Sequence, residues 1–190
     1  MLQLTGLAKS FGGRTLFEGV TWRVNPGDRW GLVGPNGVGK TTLLRIVSGQ
    51  ETADDGDVAS PKGWRIGYLA QEVRRHGSGR VLEETVAAIP DAAAVERKMR
   101  TLEAAMADAG PDEIEALTAA YAKAQDRFIA VDGYSIEARA REILSGLGFR
   151  EDDMDRPVDE LSGGWGMRVA LAGLLLAQPD ILLLDEPTNH

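Results

Sequence analysis

Gly34-Pro35-Asn36-Gly37-Val38-Gly39-Lys40-Thr41-Thr42 is the stretch on which the reading of this chain turns. Gly34, Gly39, Lys40 and Thr41 fill the pattern of a glycine, four residues, then Gly-Lys-Ser/Thr. Ahead of it, Arg29-Trp30-Gly31-Leu32-Val33 reads as a short buried strand. Behind it, Thr42 to Ser48 reads as a helix stopped by Gly49. A loop between a strand and a helix N-terminus turns successive backbone N–H groups inward and makes a concave anion site. Glycines serve there because the backbone must approach phosphate closely and adopt positive φ. Lys40 is expected to bridge the β- and γ-phosphates of a nucleotide, and the Thr41 hydroxyl to ligate Mg²⁺.

Composition sets the bounds. At 190 residues the chain fits one domain of ordinary size with room for a small subdomain. Hydrophobic content of 43% and charged content of 26% are those of a soluble globular protein. No run approaches the roughly 18 apolar residues that span a bilayer, and Met1 leads directly into alternating strand-like residues, so neither membrane insertion nor secretion is expected. The absence of cysteine excludes disulfides and thiolate metal sites and fits a cytoplasmic location. A net charge of −8 argues against a surface that binds nucleic acid everywhere.

Residues 2–33 look antiparallel. Val20-Thr21-Trp22-Arg23-Val24 alternates, which buries one face, and Asn25-Pro26-Gly27-Asp28 is a turn. Phe11, in the loop after the first strand, is a candidate to stack on a nucleotide base. Trp64 to Leu69 reads as another strand, and Gln71 just past its end is suited to touch a metal or its water. From about residue 73 glycine thins out and helix formers rise. Val95, Met99, Leu102, Met106 and Ala109 form one helical stripe. Ile114, Leu117, Tyr121, Ala124 and Phe128 form a second after the break at Gly110-Pro111. Together they read as an antiparallel helical hairpin. Eight basic residues face five acidic ones between Lys62 and Arg100, which favours a plain solvated surface over a nucleic-acid patch. A third helix, about Ile136 to Leu147, stops at Gly148.

Leu161-Ser162-Gly163-Gly164-Trp165 opens an apolar helix that runs to about Ala177. Ser162 suits the N-cap, and the glycines leave N–H groups bare at the positive end of the helix dipole. Ile181-Leu182-Leu183-Leu184-Asp185-Glu186 follows. Its unalternating apolar run reads as a strand buried on both faces of a parallel sheet, and carboxylates at its end sit where open α/β sheets bind ligands. Asp185 is expected to hold Mg²⁺ through water, and Glu186 to polarise an attacking water, a role worth about 10²–10⁴-fold in rate.

In this order and spacing, Gly34–Thr42, Gln71, Leu161–Gly164 and Ile181–Glu186 resemble the nucleotide-binding domain of ATP-binding-cassette (ABC) ATPases. The resemblance implies an α/β P-loop core, parallel around Val33 and Leu184, with an antiparallel β subdomain and a helical subdomain from about 73 to 160. It implies ATP and Mg²⁺ as cofactors, held by residues Gly34 to Thr42. In that family two domains sandwich two ATPs, so Ser162, Gly163 and Gly164 would contact the γ-phosphate held by a second nucleotide-binding domain. Gln71 matches the glutamine that couples the metal site to partner movement, and Phe11 falls near the base-stacking aromatic. Trp165 and Asn189-His190 stand where transporter domains usually have Gln and Ser-Ala. Both resemble the ABC-F proteins, soluble tandem ATPases that act on the ribosome and carry a helical insertion in their first domain. Gly166 and Gly173 depart from the arginines of the family pattern.

That pattern continues with a further strand and a switch histidine, a place that neither His76 nor His190 fits. The resemblance therefore implies the first domain of a longer protein, and these 190 residues alone are expected to bind nucleotide weakly or not at all and to hydrolyse it negligibly. The other reading is the ATPase subunit of a membrane transporter, with Gln71 and the helices docking on membrane partners. DNA-associated ATPases of related architecture would need a much longer coiled coil.

Overall fold

The computed structural model describes residues 1–71, 79–107 and 109–187. It has two compact units, one of Met1–Gln71 with the segment that begins at Pro179, the other within Glu72–Gln178. His76, Thr188, Asn189 and His190, on which part of the family reading rests, lie outside the described residues, as do Arg74 and Arg75.

In the first unit, β1 (Leu2–Phe11) and β2 (Arg14–Val24) form an antiparallel hairpin, and β3 (Asp55–Ala59) joins the other edge of β1. The alternation in β2 half-buries Val20, Trp22 and Val24, as expected. They surround a core in which Leu2, Leu4 and Leu7 of β1 meet Leu43, Ile46 and Val47 of α1 (Lys40–Val47). Asp55-Gly56-Asp57-Val58-Ala59 gave no strand signal, because only Val58 reaches the apolar face; backbone pairing with β1 makes it a strand. One charge is buried with this layer. Lys9 is 7% exposed and donates to the Thr52 carbonyl (2.8 Å), with Asp54 (3.2 Å) and Glu51 (3.1 Å) as ion partners. A buried ammonium is tolerated when its protons are matched in this way, and the cluster ties the segment after α1 to β1.

β4 (Ile66–Leu69) pairs in parallel with β5 (Ile181–Leu184), Ile66 opposite Ile181 and Leu69 opposite Leu184. Two expectations need correction. β5 is buried on one face only: Ile181 and Leu183 pack on the core, whereas Leu182 and Leu184 are each 37% exposed. Arg29–Val33 is not a strand, and Val33 is 94% exposed. Of the parallel core expected around Val33 and Leu184, the Leu184 side is present as the β4–β5 pair, whereas Val33 lies outside any strand. The reason is a shortage of partners. A central strand needs a ladder on each side for its N–H and C=O groups, and among the described residues the parallel sheet consists of β4 and β5 alone.

The second unit is helical: α2 (Val81–Val86), α3 (Pro90–Ala107), α4 (Pro111–Ala130), α5 (Gly133–Gly146) and α6 (Gly163–Ala177). The two stripes meet as expected. Val95, Met99, Leu102 and Met106 are half-buried along α3, Ala124 and Phe128 are buried on α4, and the Tyr121 hydroxyl donates to Glu103 across the hairpin (2.7 Å). Ile114 near the turn stays 37% exposed. The main core lies under α2, α5 and α6, centred on Val81, Val86, Leu144, Met154 and Ala172. Gly173 has a packing reason: a Cβ there would stand 3.2 Å from that of Ala88, so α6 lies too close to α2 for an arginine. Two basic residues of the 62–100 stretch sit in ion pairs, Arg100 with Glu83 and Glu96, and Arg80 with Asp155. That agrees with a solvated surface. No helix among the described residues is long and apolar enough to cross a membrane.

An unpaired strand edge beside exposed apolar side chains recruits neighbours. The 190-residue chain is therefore expected to self-associate, with a light-scattering mass that climbs above the monomer value as concentration rises. Leu182→Lys, which places a charge on the exposed face of β5, should bring that mass down. A concentration-independent monomer would contradict this account of the edge.

Candidate nucleotide-binding site

A cleft of about 450 Å³ in the first unit is lined by Leu16, Asn36, Gly37, Gly39, Lys40, Thr41, Thr42, Gln71 and Glu186. Its floor is the start of α1. Gly39 occupies the N-cap with φ 106, and no side chain caps the helix there. The first N–H groups of α1 have no intrahelical acceptor and carry the positive end of the dipole, so they face the cleft as anion donors. The glycine is required twice over. Its φ is one that side-chain-bearing residues avoid, and a Cβ would come 3.0 Å from Phe17 Cδ1 and 3.2 Å from Leu16 Cβ. The β1–β2 hairpin thus clamps the loop from outside. Gly34 is less constrained; a Cβ there would approach Val38 Cγ1 at 3.1 Å.

The Lys40 ammonium folds back on the loop and donates to the carbonyls of Gly34 (2.9 Å) and Pro35 (3.1 Å). Those carbonyls hold the charge in place at the mouth of the anion site. An incoming phosphate oxygen would exchange a neutral acceptor for an anionic one, which makes a shorter and stronger bond.

The acidic wall comes from the end of β5 and the end of β4. Gln71 Nε2 donates to Glu186 Oε2 at 3.0 Å, and Glu186 holds a left-handed backbone with φ 50. Asp185, next to Glu186 in the chain, is 2% exposed and is not among the residues that line the cleft. Its N–H donates to the Leu69 carbonyl (3.0 Å), and its Oδ2 accepts from the Tyr68 hydroxyl (3.2 Å). Burial pushes the pKa of that hydroxyl above the ordinary tyrosine value, so it keeps its proton and remains a donor. Among the described residues no cluster of three or more His, Cys, Asp or Glu forms a protein cage for a metal. Mg²⁺ fits the donor set present, since it is commonly bound by one or two protein oxygens together with substrate phosphates. Thr41, Gln71 and Asp185 are the residues that would supply them.

The structure gathers Asn36, Gly37, Gly39, Lys40, Thr41, Thr42, Gln71 and Glu186 around one cleft, with Gly34, Pro35 and Val38 in the same loop. Phe11 is not among the lining residues. It lies at the end of β1, 52% exposed, with the Lys9 ammonium 5.0 Å from its ring centre. Ser162, Gly163 and Gly164 belong to the second unit. Ser162 stands at the N-cap of α6 without a side-chain cap bond, which leaves its hydroxyl and the first-turn N–H groups to another acceptor. Trp165 anchors that helix start, edge-on to Phe149 (4.7 Å) and covered by the Arg168 guanidinium (4.6 Å), which also donates to the Leu147 carbonyl. Sequence reasoning missed Leu16 and Tyr68. Tyr68 carried a usable signal, a polar tip on a strand three residues before Gln71; Leu16 carried none.

A glycine-rich loop closing on a helix N-terminus, with carboxylates at a neighbouring strand end, defines a P-loop nucleotide-binding α/β domain. The model of the ABC transporter family matches residues 17–189, and the chain belongs to that family. Its relatives include ABC transporter F family member 2 of Arabidopsis thaliana, 40% identical over 100% of this chain and 28% of that protein. The putative ATP-binding protein YdiF of Bacillus subtilis is 42% identical over 100% and 30%. The tylosin resistance ATP-binding protein TlrC of Streptomyces fradiae is 39% identical over 99% and 34%. The chain thus spans about a third of the length of these relatives. Among solved structures, the ATP binding subunit of an ABC transporter superposes with a TM-score of 0.69 at 18% identity, covering 100% of this chain and 67% of that one. A dimeric post-hydrolysis ATP-binding cassette bound to ADP and Pi gives 0.64 at 22%, covering 100% and 75%. At such identities these two show the fold.

Gly39→Ala should weaken ATP binding by about tenfold or more, because backbone strain of about 1–3 kcal/mol is worth one to two decades of affinity. Calorimetric titration of the full-length protein with ATP checks it. Wild-type affinity would show that the loop reshapes freely.

Proposed function

We propose that this chain is the ATP-hydrolysing module of a soluble ABC-F type ATPase whose nucleotide-driven closure acts on the ribosome in translation. Lys40 and the loop N–H groups bind the phosphates, Thr41 and Asp185 hold Mg²⁺, and Phe11 stacks on the base. Glu186 takes the proton of the attacking water, with Gln71 orienting it. Ser162, Gly163 and Gly164 close on the γ-phosphate of ATP bound by a second nucleotide-binding domain. The observation that carries the hydrolytic part is the meeting of Lys40, Gln71 and Glu186 in one cleft. The ABC-F part rests on matches over the whole of this chain to part of proteins of that name, on Trp165 after Ser-Gly-Gly, and on the α3–α4 hairpin. The transporter reading has one support of its own: the matching family model and the solved neighbours carry transporter names.

In the full-length protein Glu186→Gln should lower kcat about 10²–10⁴-fold while ATP binding persists. The variant held with ATP should pellet with ribosomes through a sucrose cushion. Unchanged turnover would remove Glu186 from the chemistry, and recovery with membranes in place of ribosomes would favour the transporter reading.

A further inference from the structure

β4 and β5 run parallel with Leu69 opposite Leu184, and the Asp185 N–H extends the ladder by one bond to the Leu69 carbonyl (3.0 Å). Gln71 and Glu186 each stand two positions past that last pair, so the strand register delivers them to the same place. Both line the cleft that holds Lys40 and Thr41, and they are joined directly, Gln71 Nε2 donating to Glu186 Oε2 at 3.0 Å. The chemistry of the two groups gives this bond a direction. An ionised carboxylate only accepts, whereas a carboxamide has one donor end and one acceptor end. Gln71 can therefore meet the Glu186 carboxylate only through its NH₂, and its carbonyl Oε1 is the end left for another ligand. A hard divalent cation binds oxygen and has no use for the amide nitrogen. The terminal torsion of a glutamine is broad and roughly two-fold, so without a partner for the NH₂ the amide could present either end. Glu186 itself is held by its backbone, whose φ of 50 is a shape that persists only where the surrounding structure dictates it.

We propose that Glu186 is a positioning residue for Gln71 as well as a proton acceptor: its carboxylate takes the NH₂ end of the Gln71 amide and so turns the carbonyl oxygen to the divalent cation accompanying ATP. The inference rests on the nucleotide-site reading above and adds to it a second duty for the same acid. It separates two properties of the side chain at 186 that a turnover assay merges. Acceptor capacity there sets how firmly the cation is held, and the ability to take a proton serves the attacking water.

The test uses the full-length protein with a non-hydrolysable ATP analogue and Mn²⁺, free Mn²⁺ being followed by electron paramagnetic resonance. Glu186→Met keeps the length of the side chain and removes the acceptor; it should raise the apparent Kd for Mn²⁺ about tenfold, the loss usual when the outer partner of a metal ligand is removed. Glu186→Gln, whose carbonyl still accepts from the Gln71 NH₂, should hold Mn²⁺ as the wild type does, although both variants lose turnover. Binding of the analogue in EDTA should be the same in all three proteins. Gln71→Met is the reference. If it weakens Mn²⁺ binding and Glu186→Met does not, Glu186 does not position Gln71 and the inference is overturned. It is overturned equally if Glu186→Gln weakens Mn²⁺ as much as Glu186→Met, since charge and not the amide's orientation would then hold the cation. If Gln71→Met leaves Mn²⁺ binding unchanged, Gln71 is no ligand and the inference falls while the phosphate loop stands. Failure of the wild type to bind the analogue at all would instead sink the nucleotide-site reading.

Discussion

The apolar contact between β1 and α1 is the constraint on which the first unit depends. Leu2, Leu4 and Leu7 lie against Leu43, Ile46 and Val47, and a buried aliphatic side chain contributes about 1.5–3 kcal/mol. An eight-residue helix is not stable by itself in water. Packing on the sheet is what keeps α1 formed, and only a formed helix presents its bare N–H groups in one direction. The hairpin that supplies this face also brings Phe17 and Leu16 against Gly39. One layer of leucine and valine thus builds the helix, aims its dipole and shapes the loop before it.

Much of this was legible in the sequence, for reasons that differ by region. The phosphate loop is read from identity because no other residues satisfy its backbone. The α3–α4 hairpin and α6 are read from period, since packing two helices demands apolar residues every three or four positions. Arg29–Val33 and β5 misled because an apolar run reports that burial is needed without saying what provides it. Among the described residues, the run in β5 met a partner on one side and half of it stayed exposed; at Val33 it met none. β3 failed in the opposite way, with backbone pairing overriding a polar composition. Tyr68 and Asp185 were invisible as a pair, being 117 positions apart on neighbouring chain segments that only the fold brings together.

The two uncapped helix starts, at Gly39 and at Ser162, are supported differently. At the first, an uncapped helix start is backed by a lysine that its own loop carbonyls keep in waiting. At the second, Ser162 and two glycines open a helix whose start is braced by aromatic and guanidinium contacts through Trp165, Phe149 and Arg168. Neither contains a side-chain cap that a ligand would have to displace. The uncapped helix ends, often a defect, are here the common property of both.

Glu186 adopts a backbone shape that an L-residue holds at a cost of about 1–3 kcal/mol. This bears on how its contribution is to be isolated genetically. Truncation to glycine would relax the main chain at the same time as it deletes the carboxylate, mixing conformational relief with lost chemistry. Glutamine is the cleaner probe, because it preserves the tension in the turn and changes only the charge.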